Sequence, residues 1–196
     1  MTLLQIAGML VEWADTITGP NTGQKGTRVF IGPTDPISDL PVTIDFAHHQ
    51  IHESEAHQVT YPLIAVSSGA NLDFRIVVPA NIYPHFQVEF DCLAQTTFSL
   101  YESPTISGGN LQTAYNRNRN GFIVPATLIY YAPTVTATGT SLLTQDTIGD
   151  GTAGGRGNAV EEWLLKAGTS YLARFTANAA SNSVCVRFKW YEDLGV

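Results

Sequence analysis

The chain has 196 residues, of which 44% are hydrophobic and 14% are charged. This length and composition suit one medium-sized domain with its own hydrophobic core. The formal net charge of −7 and the pI of about 5.0 argue against a nucleic-acid partner, because phosphate binding needs clustered cations. With 17 glycines and 10 prolines, the sequence is typical of short strands joined by turns.

Residues 1–14 are apolar, but they do not predict a membrane span. They lack a basic leading segment, are interrupted by Gln5 and Glu12, and are too short to cross a bilayer. Residues 15–40 are rich in Gly and Pro, which predicts loop-rich extended chain.

We therefore predict a docking arm over residues 1–40 and a β-sandwich domain over residues 41–196. The arm forms either a short helix or a segment that pairs along a neighbouring subunit. Its predicted contact residues are the large apolar ones, namely Leu3, Leu4, Ile6, Leu10, Val11 and Trp13.

From residue 42 onward, apolar residues recur at every second position, which predicts β-strands. The clearest case runs from Val184 to Trp190, and a first strand is predicted at residues 42–46. Roughly nine strands recur about ten residues apart, and no long amphipathic helix interrupts them, so we predict an antiparallel, jelly-roll-like β-sandwich. Residues 161–193 predict a three-stranded antiparallel meander. Pro62 predicts an edge position for its strand, since proline cannot donate to a sheet ladder.

The densest group of potential metal ligands is His48, His49 and His52, followed by Glu53 and His57. Neutral imidazoles are common zinc ligands. On a strand, however, His48 and His52 would share one face while His49 and His57 share the other, which splits the group. The sequence contains neither HExxH nor CxxC. We therefore predict that these histidines lie at a subunit contact or in a loop, and that the chain holds no metal or other cofactor.

Residues 149–154 match the GxGxxG string of dinucleotide-binding proteins, but more glycines and then a strand follow, where that site needs a helix. This stretch predicts a flexible loop. Cys92 and Cys185 lie in apolar strand patterns and are interpreted as free thiols, although a disulfide between facing strands remains possible. There is no GxSxG elbow, and nothing in the sequence predicts catalysis.

Residues 115–121 read YNRNRNG, with two arginines and three asparagines. Such a dense group of donors could bind an anion, or it could join neighbouring loops or subunits through Arg–carboxylate pairs. Because the rest of the chain is acidic, we favour the second interpretation and predict Arg117 and Arg119 as contact residues.

Five stretches together resemble a family of tailed-bacteriophage virion proteins. They are HHQIHESEAH (48–57), LDFRIVVP (72–79), LAQTTFSLYE (93–102), AYNRNRN (114–120) and the C-terminal residues 161–193. Family members carry a His-His-x-Ile-His-x-Gly-x-x-aromatic string, a Tyr-Asn-Arg-Asn-Arg motif and a closing aromatic-Tyr-Glu strand. In this chain Ser54 stands at the glycine position and His57 at the aromatic position.

The resemblance implies a head decoration or cement protein without enzymatic activity. Such a protein binds the major capsid protein on the outer surface of the virion head and stabilises the shell, as a homo-oligomer such as a dimer or trimer. It implies no nucleic-acid or membrane partner. The predicted capsid or subunit contacts are the arm residues given above, together with His48, His49, His52, Arg117 and Arg119.

Two other functions are compatible with a double-sheet β-fold. The first is a receptor- or carbohydrate-binding module of the head or tail, which would expose aromatic residues at loop tips; the candidates are Tyr83, Tyr115 and Phe122. The second is a cupin-type metal-dependent enzyme, with ligands from His48, His49, His52 or His57 and Glu53.

Overall fold

The computed structural model describes residues 3–6, 9–12, 46–147, 155–158, 162–180 and 182–194. The chain divides into two compact units, residues 1–48 and 49–196. In the first unit, β1 (Leu3–Ile6) and β2 (Met9–Glu12) pair as an antiparallel hairpin. The short-helix interpretation of this stretch is therefore wrong; glycine at position 8 disfavours a helix by about 1 kcal/mol. Trp13 and residues 15–40 lie outside the described residues.

A single short helix, α1 (Phe46–His52), precedes the remaining strands in the described part of the chain. The strands follow in the order β3 (Ala56–Val66), β4 (Asn71–Val77), β5 (Ile82–Cys92), β6 (Thr96–Glu102), β7 (Thr105–Ser107), β8 (Asn110–Leu111), β9 (Tyr115–Asn116), β10 (Leu128–Tyr131), β11 (Thr134–Ala137), β12 (Thr140–Thr147), β13 (Gly155–Asn158), β14 (Trp163–Leu164), β15 (Ser170–Ala177) and β16 (Asn182–Leu194). No helix among the described residues is long and apolar enough to cross a membrane.

The strands form two large antiparallel sheets with jelly-roll connectivity. β3 pairs with β16, β4 with β15, β5 with β13 and β6 with β12, so the first of these eight strands pairs with the last, the second with the last but one, and so on inward. One sheet has the order β13-β5-β16-β3-β9, and the other has the order β12-β6-β15-β4-β10-β8. The predicted all-β, jelly-roll-like sandwich is thus confirmed.

The core lies between the two sheets and is rich in aromatic residues. Inward residues alternate with outward ones along β5 and β16, as the period of two predicts. Phe74 of one sheet meets Phe188 of the other with ring centroids 5.0 Å apart, and Phe90 meets Phe175 at 5.1 Å. All four side chains are fully buried, and burying each one stabilises the fold by about 1.5–3 kcal/mol.

Two predictions, for residues 42–46 and 161–193, are wrong. Residues 161–193 do not form a meander, because β15 pairs with β4 and β6 in one sheet whereas β16 pairs with β3 and β5 in the other. Alternation reveals which face of a strand is buried, but not which strand lies beside it. The strand predicted at residues 42–46 is also wrong at Phe46, which begins α1; residues 42–45 lie outside the described residues.

The edge position predicted for the strand of Pro62 is wrong in the strand order, because β3 lies between β16 and β9. Pro62 itself lies beyond His57 and Gln58, the two residues of β3 that pair with β9. The interpretation of the cysteines as free thiols is confirmed. Cys92 is buried, Cys185 is partly exposed, and both are free cysteines. The glycine-rich residues 149–154 lie outside the described part of the chain.

Residues 103–139 form an insertion between β6 and β12, the innermost pair of the jelly roll. We call it the inserted segment. It adds β10 and β8 beside β4 in one sheet and β9 beside β3 in the other, and its strands β7 and β11 pair with each other. The inserted segment therefore covers the same open edge of both sheets. Its strands β8, β9 and β10 are held in place by pairing within these sheets.

Candidate interaction site

The inserted segment differs from the rest of the chain in charge. Arg117 and Arg119 are its only charged residues. The full chain has 10 Lys and Arg residues against 17 Asp and Glu residues, so the remainder has eight cations against 17 anions and a formal charge of −9. Depletion of Lys, Glu and Asp, with arginine retained, is typical of protein–protein interfaces.

The two arginines lie in residues 115–124, which we call the Arg loop. Asn116 and Asn118 alternate with the arginines and are less exposed than the arginines. Asn116 Nδ2 donates to the backbone carbonyl oxygens of Ser54 (2.6 Å) and Ile123 (3.1 Å). Asn118 Nδ2 donates to the carbonyl oxygen of His52 (3.2 Å) and to Ser54 Oγ (3.1 Å). The asparagines therefore fasten the loop to the turn that follows α1.

The asparagine side chains also shape the loop itself. Asn116 Oδ1 accepts a hydrogen bond from the backbone N–H of Asn118 (2.8 Å), and Asn118 Oδ1 accepts one from the N–H of Asn120 (3.0 Å). Such contacts between an asparagine and the backbone two residues on mimic a backbone turn. The Gly121 N–H then closes the turn on the Asn118 carbonyl oxygen at 2.9 Å.

The far end of the Arg loop is fastened by Glu192 of β16. Its carboxylate accepts hydrogen bonds from the backbone N–H groups of Ala126 (2.8 Å) and Thr127 (2.7 Å). Trp190 Nε1 donates to the same carboxylate at 3.1 Å. Both ends of the loop are therefore held by the sandwich, one by β3 and the preceding turn and the other by β16.

The arginines face outward from this braced loop. Both side chains are exposed, and the Arg119 guanidinium lies 5.7 Å from the centre of the Tyr115 ring, within cation–π range. No partner for the Arg117 guanidinium lies among the described residues. The loop thus presents two positive charges that no carboxylate of the described chain neutralises.

Apolar side chains are exposed beside the arginines. Phe122 is 91% exposed, Val124 is 82% exposed and Tyr115 is 58% exposed. An isolated exposed apolar residue is ordinary, but several on one short braced loop mark a surface that another molecule covers. Tyr115 and the two arginines are of residue types that are enriched at interface hot spots.

His57 lies under the start of the Arg loop, where it pairs with Asn116 across β3 and β9. Its side chain is fully buried, and neither ring nitrogen has a hydrogen-bond partner in the described structure. The ring centre lies 5.7 Å from that of Trp190. Burial lowers the pKa of His57 below its ordinary value, and the negative charge of Glu192 only partly opposes this. The imidazole therefore occupies an aromatic environment as a neutral ring.

The histidines are arranged differently from the strand prediction. His48, His49 and His52 lie on α1, whereas His57 lies on β3. His49 Nε2 lies 3.6 Å from a carboxylate oxygen of Glu53 in an i,i+4 pair. Among the described residues, no three His, Cys, Asp or Glu side chains are grouped so that they could hold a metal ion. Of these histidines, His52 contributes directly to the bracing of the Arg loop, through its backbone oxygen.

The aromatic residues considered for sugar binding do not share one surface. Tyr83 lies on β5, and Tyr115 lies on the edge strand β9 of the same sheet, with β16 and β3 between them. The guanidinium of Arg119 lies over the Tyr115 ring. Phe122 lies on the Arg loop itself. The structure therefore assembles no flat platform from these three rings.

Sequence reasoning missed the residues that position the Arg loop. Ser54, Gly121 and Glu192 lie in stretches that the sequence analysis singled out, but no bracing role was predicted for them, and Val124 was not singled out. The alternation of asparagine with arginine was the available signal, since alternate residues can face opposite sides. For the arm, the predicted contacts Leu3, Leu4, Ile6, Leu10 and Val11 lie on the β1–β2 hairpin.

The chain matches no protein-family model, no curated protein and no solved structure.

Proposed function

We propose that this chain is a structural protein of a bacteriophage particle that attaches to the outer face of the capsid and stabilises the shell without catalysing a reaction. The observation that carries the proposal is the inserted segment, which is free of charge except at Arg117 and Arg119 and exposes apolar residues beside them. A surface of this kind is suited to docking on protein.

The bracing of the Arg loop supports the same function. A loop that is already ordered loses little conformational entropy when it binds, so more of its contact energy appears as affinity. Asn116, Asn118 and Glu192 provide this order through hydrogen bonds to backbone groups. The resemblance of AYNRNRN and of residues 161–193 to phage virion proteins identifies the capsid as the protein surface to test.

A carbohydrate-binding module is the second candidate. The exposed Tyr83, at 39%, and Tyr115 favour it, because sugars stack on aromatic faces. It is less well supported, because Arg119 lies over Tyr115 and because two strands, β16 and β3, separate the strands that carry the two rings.

The direct experiment is co-sedimentation of the purified chain with capsid shells assembled without it, followed by thermal disruption of the shells. We expect saturable binding and a higher disruption temperature, since a ligand that binds only the intact shell stabilises it. The Phe122→Ser variant should bind more weakly, whereas Thr105→Ser, a conservative change at another exposed position of the inserted segment, should bind normally. Failure of the wild-type chain to bind shells, together with retention on a glycan array, would replace this function with the second candidate.

A further inference from the structure

The charges of the Arg loop can be compared with the carboxylates that a second copy of this chain would offer. Arg117 has no partner among the described residues, and the contact of Arg119 is with a neutral ring. Neither charge is compensated within the described structure. An arginine that becomes buried at an interface needs a carboxylate or another acceptor, because a buried unpaired charge is costly.

The carboxylates on the described surface are already engaged. Asp73 accepts two hydrogen bonds of 2.8 Å from Arg174, and Glu89 accepts hydrogen bonds from Arg187 (2.7 Å) and Lys189 (2.6 Å). The remaining pairs are Glu53 with His49, Glu102 with Lys166, Glu162 with His85, and Glu192 with the N–H groups of Ala126 and Thr127. Glu55 and Asp91 also interact within the chain.

Among these carboxylates, Asp73, Glu89 and Glu102 are paired with Lys or Arg, so pairing the Arg loop with one of these three on a second copy would exchange one ion pair for another. Glu89 illustrates this, because the hydrogen bonds from Lys189 and Arg187 outweigh the effect of burial and lower its pKa. Such an exchange gains little free energy and leaves a Lys or Arg unpaired. The formal charge of −9 outside the Arg loop means that an acidic partner is attracted by the two arginines of the loop and repelled by the net charge of the remainder.

We infer that the Arg loop binds a protein other than this chain, whose surface presents two unpaired carboxylates beside an apolar pocket. Arg117 and Arg119 pair with the carboxylates, and Phe122 and Val124 enter the pocket. This inference rests on the proposed function and specifies its partner: the shell protein carries an acidic docking surface. Any self-association of the chain uses a different surface.

The test compares Arg117→Gln/Arg119→Gln with Arg117→Lys/Arg119→Lys in shell binding, at low and high salt. The Arg117 and Arg119 side chains are exposed, so we expect both double variants to fold, which circular dichroism checks. The Gln variant should bind at least tenfold more weakly and lose most of the salt dependence of binding, because fewer charges are paired. The Lys variant should keep the salt dependence but bind more weakly than wild type, since lysine cannot form the two-pronged contact of arginine. Lys166→Gln, which removes an exposed cation elsewhere, should bind as wild type does.

Sedimentation velocity of the same variants tests whether the partner of the Arg loop is a second copy of this chain. We expect the self-association of the Gln variant to equal that of wild type. Equal shell binding by the Gln and wild-type chains would overturn the inference while leaving the proposed function intact. Self-association that is lost with the arginines would overturn it in favour of a second copy.

A probe that needs no shells separates the inference from the proposed function. If wild type fails to bind shells, the proposed function fails, and chromatography on immobilised poly-L-glutamate then decides the inference alone. An acidic chain is repelled by this matrix except at a local basic site. Retention that is lost in the Gln variant supports the inference, and elution of wild type in the void volume overturns it.

Discussion

Gly121 and Ser54 lie so close together that a Cβ atom on Gly121 would stand 2.6 Å from the Cβ atom of Ser54 and still closer to its hydroxyl oxygen. Real Cβ atoms do not approach other atoms this closely. The Arg loop and the turn after α1 are therefore fitted to each other at a point where only glycine can stand.

We expect Gly121→Ala to destabilise the fold by about 1–3 kcal/mol, because the added methyl group overpacks this contact. Chemical denaturation should show this loss, and amide exchange should be faster in residues 116–121. Gly69→Ala is a useful contrast: a Cβ atom there would meet nothing within 4 Å, so its cost comes from the backbone φ of +77° alone.

A double-mutant cycle between the two positions tests the contact directly. Ser54 has a φ of +67°, a conformation that glycine adopts without strain, and the resembling phage family has glycine at this position. Ser54→Gly removes both the strain and the atoms that block Gly121, at the expense of the hydrogen bond from Asn118 to Ser54 Oγ. We expect Ser54→Gly/Gly121→Ala to recover most of the stability that Gly121→Ala loses. Strictly additive free energies of unfolding would show that the two residues do not meet.

Asn118 and Arg117 are neighbours with opposite predicted roles. Asn118→Ala removes two donated side-chain hydrogen bonds and one accepted hydrogen bond, and should lower the free energy of unfolding by about 1–3 kcal/mol. Arg117→Ala should change it by less than about 0.5 kcal/mol, because its side chain is exposed and has no partner among the described residues. Equal losses of stability in the two variants would make Arg117 an internal brace.

Glu192 is expected to control the other end of the loop. Glu192→Ala leaves the N–H groups of Ala126 and Thr127 without their acceptor, and each hydrogen bond to a charged group contributes about 1.5–3 kcal/mol. Hydrogen exchange resolved by NMR should show these two amides losing protection. The amide of Leu165, which donates to the Pro84 carbonyl oxygen, should stay protected as an internal control. Unchanged exchange at Ala126 would mean that the carboxylate does not hold the loop.

The sequence predicts which faces are buried much better than which strands are neighbours. Alternation along residues 184–190 correctly predicts an inward apolar face, because it reflects the pleat of a single strand. The partners of that strand are β3, more than a hundred residues earlier, and β5, and no local pattern specifies such pairings. The meander was the nearest local alternative, and the jelly roll replaces it because its first strand pairs with its last.

At the candidate site, too, the sequence predicts local properties but not contacts between distant residues. The density of donors in residues 115–121 identified the arginines, since composition is a local property. The role of Asn118 depends on His52 and Ser54, which are more than 60 residues away along the chain. The helix that carries His48, His49 and His52 was not predicted, because a seven-residue helix is too short for its apolar period to be distinguished.

His57 makes stability depend on pH. The structure buries it beside Trp190, and neither of its ring nitrogens has a hydrogen-bond partner in the described structure. Burial lowers the pKa of His57 in the folded chain, so the unfolded chain takes up a proton more readily. Stability from this residue is therefore fully present above the ordinary histidine pKa of about 6.5, and it is lost as the pH falls from there toward the lowered value. The slope is at most about 1.4 kcal/mol per pH unit for one proton.

His57→Phe should remove this dependence and stabilise the fold. At pH 7.5 we expect the variant to gain about 1–3 kcal/mol, because no unpartnered polar nitrogen remains buried. Between about pH 6.5 and 5, urea denaturation should show a flatter decline in the free energy of unfolding than in wild type. Because β3 carries His57 opposite Asn116, wild-type shell binding should weaken over the same pH range, whereas binding by His57→Phe should not. If the free energy of unfolding declines in parallel for wild type and His57→Phe, folding does not lower the pKa of His57. The acid sensitivity would then be assigned to the other histidines.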